Sequence, residues 1–348
     1  MVDHTANKIL GMHNPCLEQD ALFNILKRYQ DIKIFDLLLT ECCRNGRILF
    51  PYYYRVCLNA KQNELKTANH LGFDTLVIQW NFNDKLERLQ RALNYASSFA
   101  IAVHISVQQA PSLSDEAFKT LDNLIRTYSV KSLIYCDDES VLDPFKTYEN
   151  LNYVQKIISC PIEFLSGNAN GLATANALAA IRCGVETIHT HVGGSSSFCG
   201  AAMEELLLSY SFFFKKECKE QTEFLANDCR RILEFLNIKI PPNKAIIGEN
   251  IFAHESGIHV DGIMKNPLLY EIIKPEEVGL QRKLIIGKHS GKSAVEAKLF
   301  EFGIFVSAAE TTKLVLLAKD LAERQKRALN DEQFLQIYHQ TRNTAASG

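Results

Sequence analysis

The sequence lacks several features that would place it in a specialised class of protein. Its 348 residues carry a formal net charge of −2, so no overall positive charge attracts nucleic acid or an anionic membrane. No apolar run approaches the ~20 residues that a membrane-spanning helix needs. The first residues, MVDHTANKIL, do not show the basic and then apolar pattern of a secretory signal. We therefore expect a cytoplasmic protein with neither nucleic acid nor a membrane as partner.

The ten cysteines do not have the spacing of a metal or redox motif. No pair is arranged as CxxC, and most cysteines lie inside apolar stretches such as SLIYC at 132–136. Scattered cysteines of this kind are typical of free, buried thiols in a reducing compartment. A glycine-rich turn after the first predicted strand is also missing. That absence disfavours a doubly wound nucleotide-binding sheet, which is the alternative fold.

Short apolar runs alternate with amphipathic stretches along the first two thirds of the chain. Leu86, Leu89 and Leu93 have helical spacing, and GLATANALAAIRCG is typical of a helix that ends at Gly184. Eight strand-then-helix units predict a (β/α)8 TIM barrel over 1–236, with its site at the carboxyl ends of the strands. The predicted strands are 8–12, 32–39, 48–54, 75–80, 99–107, 132–136, 160–165 and 185–192.

The sequence changes in character after Pro241 and Pro242. Residues 237–300 are rich in glycine and proline, which predicts a linker or arm subdomain that contains ESGIHVDG and GKHSG. Residues 301–348 again have helical periodicity and predict a helical C-terminal subdomain. The predicted fold is therefore α/β: a TIM barrel followed by a small mixed, mostly helical C-terminal part.

His189 and His191 are the metal-ligand candidates that the residues alone suggest. Two positions apart on a strand, they share a face, and two imidazoles suit zinc, iron or manganese. A carboxylate ligand beside them is not evident in the following VGGSSSFCG. Histidines with structural hydrogen bonds are therefore the favoured interpretation.

Several segments together resemble the homocitrate synthase and isopropylmalate synthase family, and most closely the homocitrate synthases of nitrogen fixation. These segments are GLATANALAA, AAMEE, FAHESGIHVDG, YEIIKPEEVG and LIIGKHSG. The resemblance implies a Claisen condensation of acetyl-CoA with a 2-oxo acid, 2-oxoglutarate for homocitrate synthase. It also implies a divalent metal that binds the oxo acid, and a base that removes a methyl proton from the acetyl group.

The family's metal motifs are not matched in this chain. The family has a DTTLRDGE-like segment after the first strand, a histidine pair on the seventh and an asparagine after the eighth. Here the predicted first strand is followed by GMHNPCLEQ, the histidine positions hold Leu165 and Gly167, and the asparagine position holds Gly200 or Ala201. The resemblance therefore predicts no metal and no other cofactor in this chain.

The family's arm after the barrel is matched. His259, Tyr270 and Glu255 stand at its motif positions, and in the family this arm crosses to a neighbouring subunit, where it takes part in proton transfer. Asp137 and Arg55 match an acidic and a basic residue near strand ends. The chain thus resembles the omega subunit of a split homocitrate synthase, whose metal-bearing alpha-type subunit is the expected partner, with acetyl-CoA and a 2-oxo acid as substrates.

Three alternatives remain open at this point. The chain is a regulatory pseudoenzyme without catalytic role, or a self-sufficient enzyme that uses His189 and His191 in a rearranged site. The third alternative keeps the fold and the condensation but changes the acid, to the synthesis of isopropylmalate or citramalate.

Overall fold

The fold is given by a computed structural model, which describes residues 1–12, 16–29, 34–44, 53–194, 200–214, 221–255 and 272–346. The chain forms two compact units, 1–221 with 228–240 and 222–227 with 241–348. None of the helices in the described ranges is both long enough and apolar enough to cross a membrane.

The first unit is a closed parallel barrel. Strands β1 to β8 pair in chain order, and β1 also pairs with β8, which closes the sheet. A short ninth strand, β9, is added beside β8. The predicted TIM barrel is confirmed. Its strands are β1 (Val2–Asp3), β2 (Ile34–Leu38), β3 (Tyr54–Asn59), β4 (Thr75–Asn81), β5 (Ala102–Gln108), β6 (Leu133–Asp137), β7 (Ile162–Ser166), β8 (Thr187–His191) and β9 (Ala201–Ala202).

Helices follow the strands around the barrel. They are α1 (Thr5–Gly11), α2 (Cys16–Arg28), α3 (Leu39–Arg44), α4 (Gln62–His70), α5 (Leu86–Ser98), α6 (Asp115–Tyr128), α7 (Pro144–Val154), α8 (Ala173–Arg182), α9 (Met203–Phe214) and α10 (Leu225–Phe235).

Local sequence explains why these helices begin and end where they do. The side chain of Ser114 accepts a hydrogen bond from the N–H of Ala117 and caps α6, whose apolar face then buries Phe118, Leu121 and Ile125. Gly184 follows α8 with φ of +95°, a conformation that favours glycine, as the pattern predicts.

The prediction of the first strand was wrong. Residues 8–11 of the predicted strand 8–12 lie in α1, and the strand that opens the barrel is the two-residue β1. Thr5, Ala6, Ile9 and Leu10 are the buried residues of α1, so its apolar spacing is helical. The predicted strand 48–54 overlaps β3 only at Tyr54, and residues 45–52 lie outside the described ranges.

The second unit spans most of the predicted arm range 237–300 and the whole predicted C-terminal range 301–348, and its described residues are mostly helical. A parallel two-stranded ladder joins β10 (Ala253–His254) to β11 (Lys283–Leu284). Three helices follow: α11 (Lys292–Glu301), α12 (Ala308–Gln325) and α13 (Asp331–Ala346). Their apolar faces enclose a separate small core that includes Leu299, Leu314 and Phe334.

Candidate active site

A buried ionic network occupies the interior of the barrel. Arg55 on β3 is 0% exposed, and its guanidinium donates to both oxygens of Asp36 on β2, over 2.7 and 2.8 Å. It also donates to both oxygens of Glu163 on β7, over 2.6 and 3.0 Å. One cation thus holds two carboxylates that come from opposite parts of the barrel, an arrangement suited to bidentate arginine.

Glu163 receives further hydrogen bonds besides those from Arg55. Ser132 donates its hydroxyl to Glu163 Oε1 over 2.5 Å, and His104 Nδ1 lies 2.6 Å from the same hydroxyl. Burial acts to raise the pKa of Glu163, but hydrogen bonds from His104, His189 and Arg55 outweigh it and hold the pKa well below its ordinary value. Glu163 is therefore ionised inside the barrel.

The network continues through His189 to His4. His189 Nε2 lies 2.9 Å from Glu163 Oε2, and His189 Nδ1 lies 2.7 Å from Nε2 of His4. Asp36 Oδ2 is 3.8 Å from His189 Nδ1. Burial, with charge on His189 second in importance, lowers the pKa of His4 to about 3. His4 is therefore neutral at ordinary pH.

An apolar cluster lies one side-chain layer nearer the carboxyl ends of β3 and β7. It consists of Cys57, Val77, Ile134, Cys136 and Leu165, all buried. Every second residue of a strand faces the barrel interior, so Leu165 is the next inward-facing residue of β7 after Glu163. The position of the family's first histidine ligand is thus part of an apolar core, and its side chain has no donor for a metal.

Backbone occupies the position of the second histidine ligand. The N–H of Gly167 donates to the carbonyl of Asp137 over 2.7 Å. A Cβ built on Gly167 would lie 2.6 Å from that carbonyl oxygen and still closer to the hydroxyl of Ser140. The chain therefore lacks a ligand here and also leaves no space for one.

The corrected first strand changes the comparison with the family's DTTLRDGE segment. Residues 3–10 read DHTANKIL, so an aspartate is present as Asp3, whereas Asn7 and Lys8 replace the arginine–acidic pair. The carboxylate of Asp3 accepts the N–H groups of Thr5 and Ala6 and the hydroxyl of Thr5. Asp3 is thereby engaged in starting α1, and burial raises its pKa to about 7.

Asn7 joins the start of α1 to β2. Its amide donates to the carbonyl of Asp36 over 2.6 Å and accepts the N–H of Leu38 over 2.6 Å. An asparagine that pairs with strand backbone in this way has a structural role. Lys8, on the next position, is partly buried, and burial lowers its pKa.

The remaining predicted positions also have structural hydrogen bonds. Ala201, at the asparagine position, is buried in β9, and the N–H of Gly200 donates to the carbonyl of Ser166 over 2.7 Å. His191 Nδ1 lies 2.8 Å from the carbonyl of Val192, and burial lowers the pKa of His191 to about 4. His189 and His191 share the inner face of β8, but Asp36 and His4 group with His189 alone.

Arg55 and Asp137 do not end up as free groups at the barrel mouth. Arg55 is the second residue of β3 and lies in the buried network. Asp137 ends β6, and its carboxylate accepts the N–H groups of Val141 and Leu142.

Of the predicted catalytic residues, the structure describes only Glu255. Its Oε1 accepts the N–H of His289 over 2.7 Å, and its carbonyl accepts the hydroxyl of Ser290 over 3.0 Å. Glu255 thus binds the GKHSG turn at the base of the arm. His259 and Tyr270 lie outside the described residues, and their predicted roles stay predictions.

Sequence reasoning missed the network residues Asp36, Glu163, His4 and His104. Two of them had a signal: Asp36 in IKIFDLLL and Glu163 in CPIEFL are single charges inside otherwise apolar strand segments. A charge in such a place must be paired, because an isolated buried ion is costly. The partners are 19 and 108 residues away from Arg55, so only the fold identifies them.

Two family models match the chain. One, described as HMGL-like, covers residues 55–211, and the other, described as homocitrate synthase post-HMGL domain-like, covers residues 246–326. The matches therefore include most of the barrel and most of the second unit.

Curated relatives at similar identity differ in the acid they are named for. Homocitrate synthase 1 of Nostoc sp. is 34% identical over 77% of this chain and 71% of its own length. The 2-isopropylmalate synthase 2 of Caldanaerobacter subterraneus is 34% identical over 73% and 66%, respectively. The (R)-citramalate synthase of Methanocaldococcus jannaschii is 34% identical over 69% and 49%. The chain thus spans between about half and about seven tenths of the length of these relatives.

Solved structures show the same barrel at low identity. An HMG-CoA lyase of Bacillus subtilis superimposes with a TM-score of 0.57 at 14% identity, over 69% of this chain and 95% of that structure. This likeness concerns the fold.

Proposed function

Because the chain belongs to the homocitrate synthase and isopropylmalate synthase family, we propose that it is the subunit of a heteromeric homocitrate synthase that binds no catalytic metal. In this proposal a metal-bearing alpha-type subunit supplies the cation and the oxo-acid pocket. This chain supplies the arm that follows Glu255.

The observation that carries the proposal is the state of the metal positions. Leu165 belongs to an apolar core, Gly167 has no room for a side chain, and Ala201 has no donor. Asn7 and Lys8 replace the arginine–acidic pair. The difference from the family is therefore not confined to one metal ligand, because several positions of its metal site have changed together.

The retained arm supports the second half of the proposal. Glu255 holds the base of the arm to the GKHSG turn, and Gly287 allows this close approach, because a Cβ there would lie 2.8 Å from the carboxyl carbon of Glu255. Glu255 is therefore a positioning residue in the proposal. His259 acts as the acid or base toward the acetyl methyl group, and Tyr270 is its hydrogen-bonding companion.

The reaction is acetyl-CoA plus 2-oxoglutarate plus water to homocitrate and CoA. A base removes a proton from the acetyl methyl group, the resulting enolate forms a C–C bond to the oxo carbon, and that oxygen takes up a proton. Water then cleaves the thioester. Homocitrate of this origin serves the nitrogenase cofactor in the proposed setting.

The test combines this chain with a metal-bearing homologue from the same genome and measures CoA release. We expect synthase activity from the mixture and little from either chain alone. His259→Ala should lower the rate by ~10²–10⁴ without preventing assembly. The matched control is His70→Ala, because His70 is an exposed histidine on α4. Full activity of assembled His259→Ala would refute the catalytic role.

A change of oxo acid is the second candidate, and the comparisons favour testing it. Relatives named for homocitrate, isopropylmalate and citramalate synthesis are all 34% identical to this chain. The same assay with 2-oxoglutarate, 2-oxoisovalerate and pyruvate separates these acids. If the partner gains no activity with any of them, the chain is a regulatory pseudoenzyme instead.

A further inference from the structure

A group of two imidazoles and one carboxylate lies at the seam where the barrel closes. Ligand atoms of His4, Asp36 and His189 all fall within 4.8 Å of one another. Asp36 and His189 are each 1% exposed, whereas His4 is partly exposed. We propose that these three residues form a site for a divalent transition-metal ion, distinct from the family's metal positions at Leu165 and Gly167.

Glu163 gives His189 the orientation of a metal ligand. Its Oε2 lies 2.9 Å from His189 Nε2, so Nε2–H donates to the carboxylate and the lone pair is on Nδ1, which faces His4 and Asp36. A carboxylate behind an imidazole is the usual outer partner of a metal-binding histidine, since it fixes both the ring and the tautomer.

The charge of the barrel interior favours a cation at this point. Asp36 and Glu163 contribute two negative charges, and Arg55 contributes one positive charge to both. The three groups therefore leave one negative charge beside His4 and His189. A divalent ion offsets this charge, and it leaves Arg55 in place as the partner that keeps Asp36 oriented.

The donor set selects the type of ion. Two nitrogens and one carboxylate oxygen suit zinc, iron(II), manganese(II) or cobalt(II), whereas calcium prefers oxygen ligands throughout. A zinc ion ~2.1 Å from both imidazoles at the tetrahedral angle needs the nitrogens about 3.4 Å apart. They are 2.7 Å apart, so His4 has to move outward by about 0.7 Å. Because His4 is the partly exposed member, it is also the side from which the ion enters.

The position of the site indicates a structural role. β1 has only two residues, and it lies between β2 and β8. His4 directly follows β1, Asp36 is on β2 and His189 is on β8. An ion held by all three joins the shortest strand to both of its neighbours. This inference does not rest on the proposed function.

Cobalt(II) is a suitable probe because its visible bands depend on the type of ligand. This matters here because the chain also contains ten cysteines that compete for metals. The full-length protein is stripped with chelator and then titrated with cobalt(II) and with zinc. We expect one ion per chain, weak visible bands of cobalt with nitrogen and oxygen ligands, and a higher melting temperature. His4→Ala should lose all three effects, and the control His70→Ala should keep them. A melting temperature of metal-free His4→Ala close to that of the metal-free wild type shows that the variant is folded.

X-ray absorption of the wild-type zinc complex keeps the test decisive if His4→Ala does not fold. Two imidazoles with oxygen ligands support the site, whereas sulfur ligands overturn it. Absence of binding, or equal binding by His4→Ala, also overturns it. None of these results depends on synthase activity, so failure of this site is distinguishable from failure of the proposed function.

Discussion

Replacement of Arg55 by alanine should be the most damaging single change in the barrel. Arg55 has no exposed surface and donates four hydrogen bonds, two to Asp36 and two to Glu163. Arg55→Ala leaves both carboxylates buried without their cation. Removal of one partner of a buried ion pair typically costs ~3–5 kcal/mol. With two carboxylates affected, we expect the free energy of unfolding to fall by at least that amount.

The pH dependence of this loss distinguishes charge from packing. In the wild type the pKa of Glu163 is held well below its ordinary value of 4.5, so its stabilising contribution is present above pH 4.5 and is lost as the pH falls through the lower, folded-state pKa. In Arg55→Ala, Glu163 has lost its buried cation, and protonation of Glu163 at low pH removes the uncompensated buried charge. The difference in stability between the two proteins should therefore shrink as the pH is lowered toward 4.

The assay is urea denaturation followed by circular dichroism, from pH 4 to pH 8. Arg126→Ala is the matched control, since Arg126 pairs with Asp122 over 2.6 Å but its side chain is 64% exposed. That pair should contribute under ~1 kcal/mol. If Arg55→Ala were as mild as Arg126→Ala, or if its loss were the same at every pH, the account of the buried network would be wrong.

Two further predictions concern the start and the mouth of the barrel. Gly167→Ala should destabilise the fold by ~1–3 kcal/mol in thermal or urea unfolding, because its Cβ would meet the carbonyl of Asp137 at 2.6 Å. The control is Gly291→Ala, where nothing lies within 4 Å; it should cost less, under ~1 kcal/mol, and only because Gly291 caps the start of α11. Equal effects of the two changes would contradict the steric argument. Burial raises the pKa of Asp3 from 3.8 to about 7, so the wild type should lose stability as the pH rises from 4 to 7. Asp3→Asn should lose less stability over the same range. If the free energy of unfolding changed with pH by the same amount in both proteins, the raised pKa of Asp3 would be contradicted.

The sequence predicted the barrel well because most of its strands are apolar runs with helical segments between them. The runs at 75–80, 132–136 and 160–165 overlap β4, β6 and β7 closely. β1 was missed because two residues, Val2 and Asp3, have no periodicity to detect. Its place in the sheet is determined by pairing with His189 and Thr190, far along the chain.

The site was predictable only where it depends on local sequence. The lack of a metal at Leu165 and Gly167 was expected from the sequence because neither side chain can bind one, and that expectation stays a prediction; the structure adds that Leu165 lies in an apolar cluster and that a Cβ on Gly167 would meet backbone. Because residues 8–12 were predicted as the first strand, Asp3, Asn7 and Lys8 were not aligned with the family's DTTLRDGE segment. The pairing of Arg55 with Asp36 and Glu163 depends on three strands meeting inside a barrel. Local sequence cannot predict this pairing.

The seam at β1 also has a consequence for synthesis on the ribosome. The carbonyl of Val2 accepts a hydrogen bond from Thr190, 188 residues later in the chain. At a translation rate of about 5–20 residues per second, β8 is synthesised roughly 10 to 40 seconds after β1. Until then β1 can pair only with β2. During that interval the nascent sheet has an unpaired edge of the kind that chaperones cover.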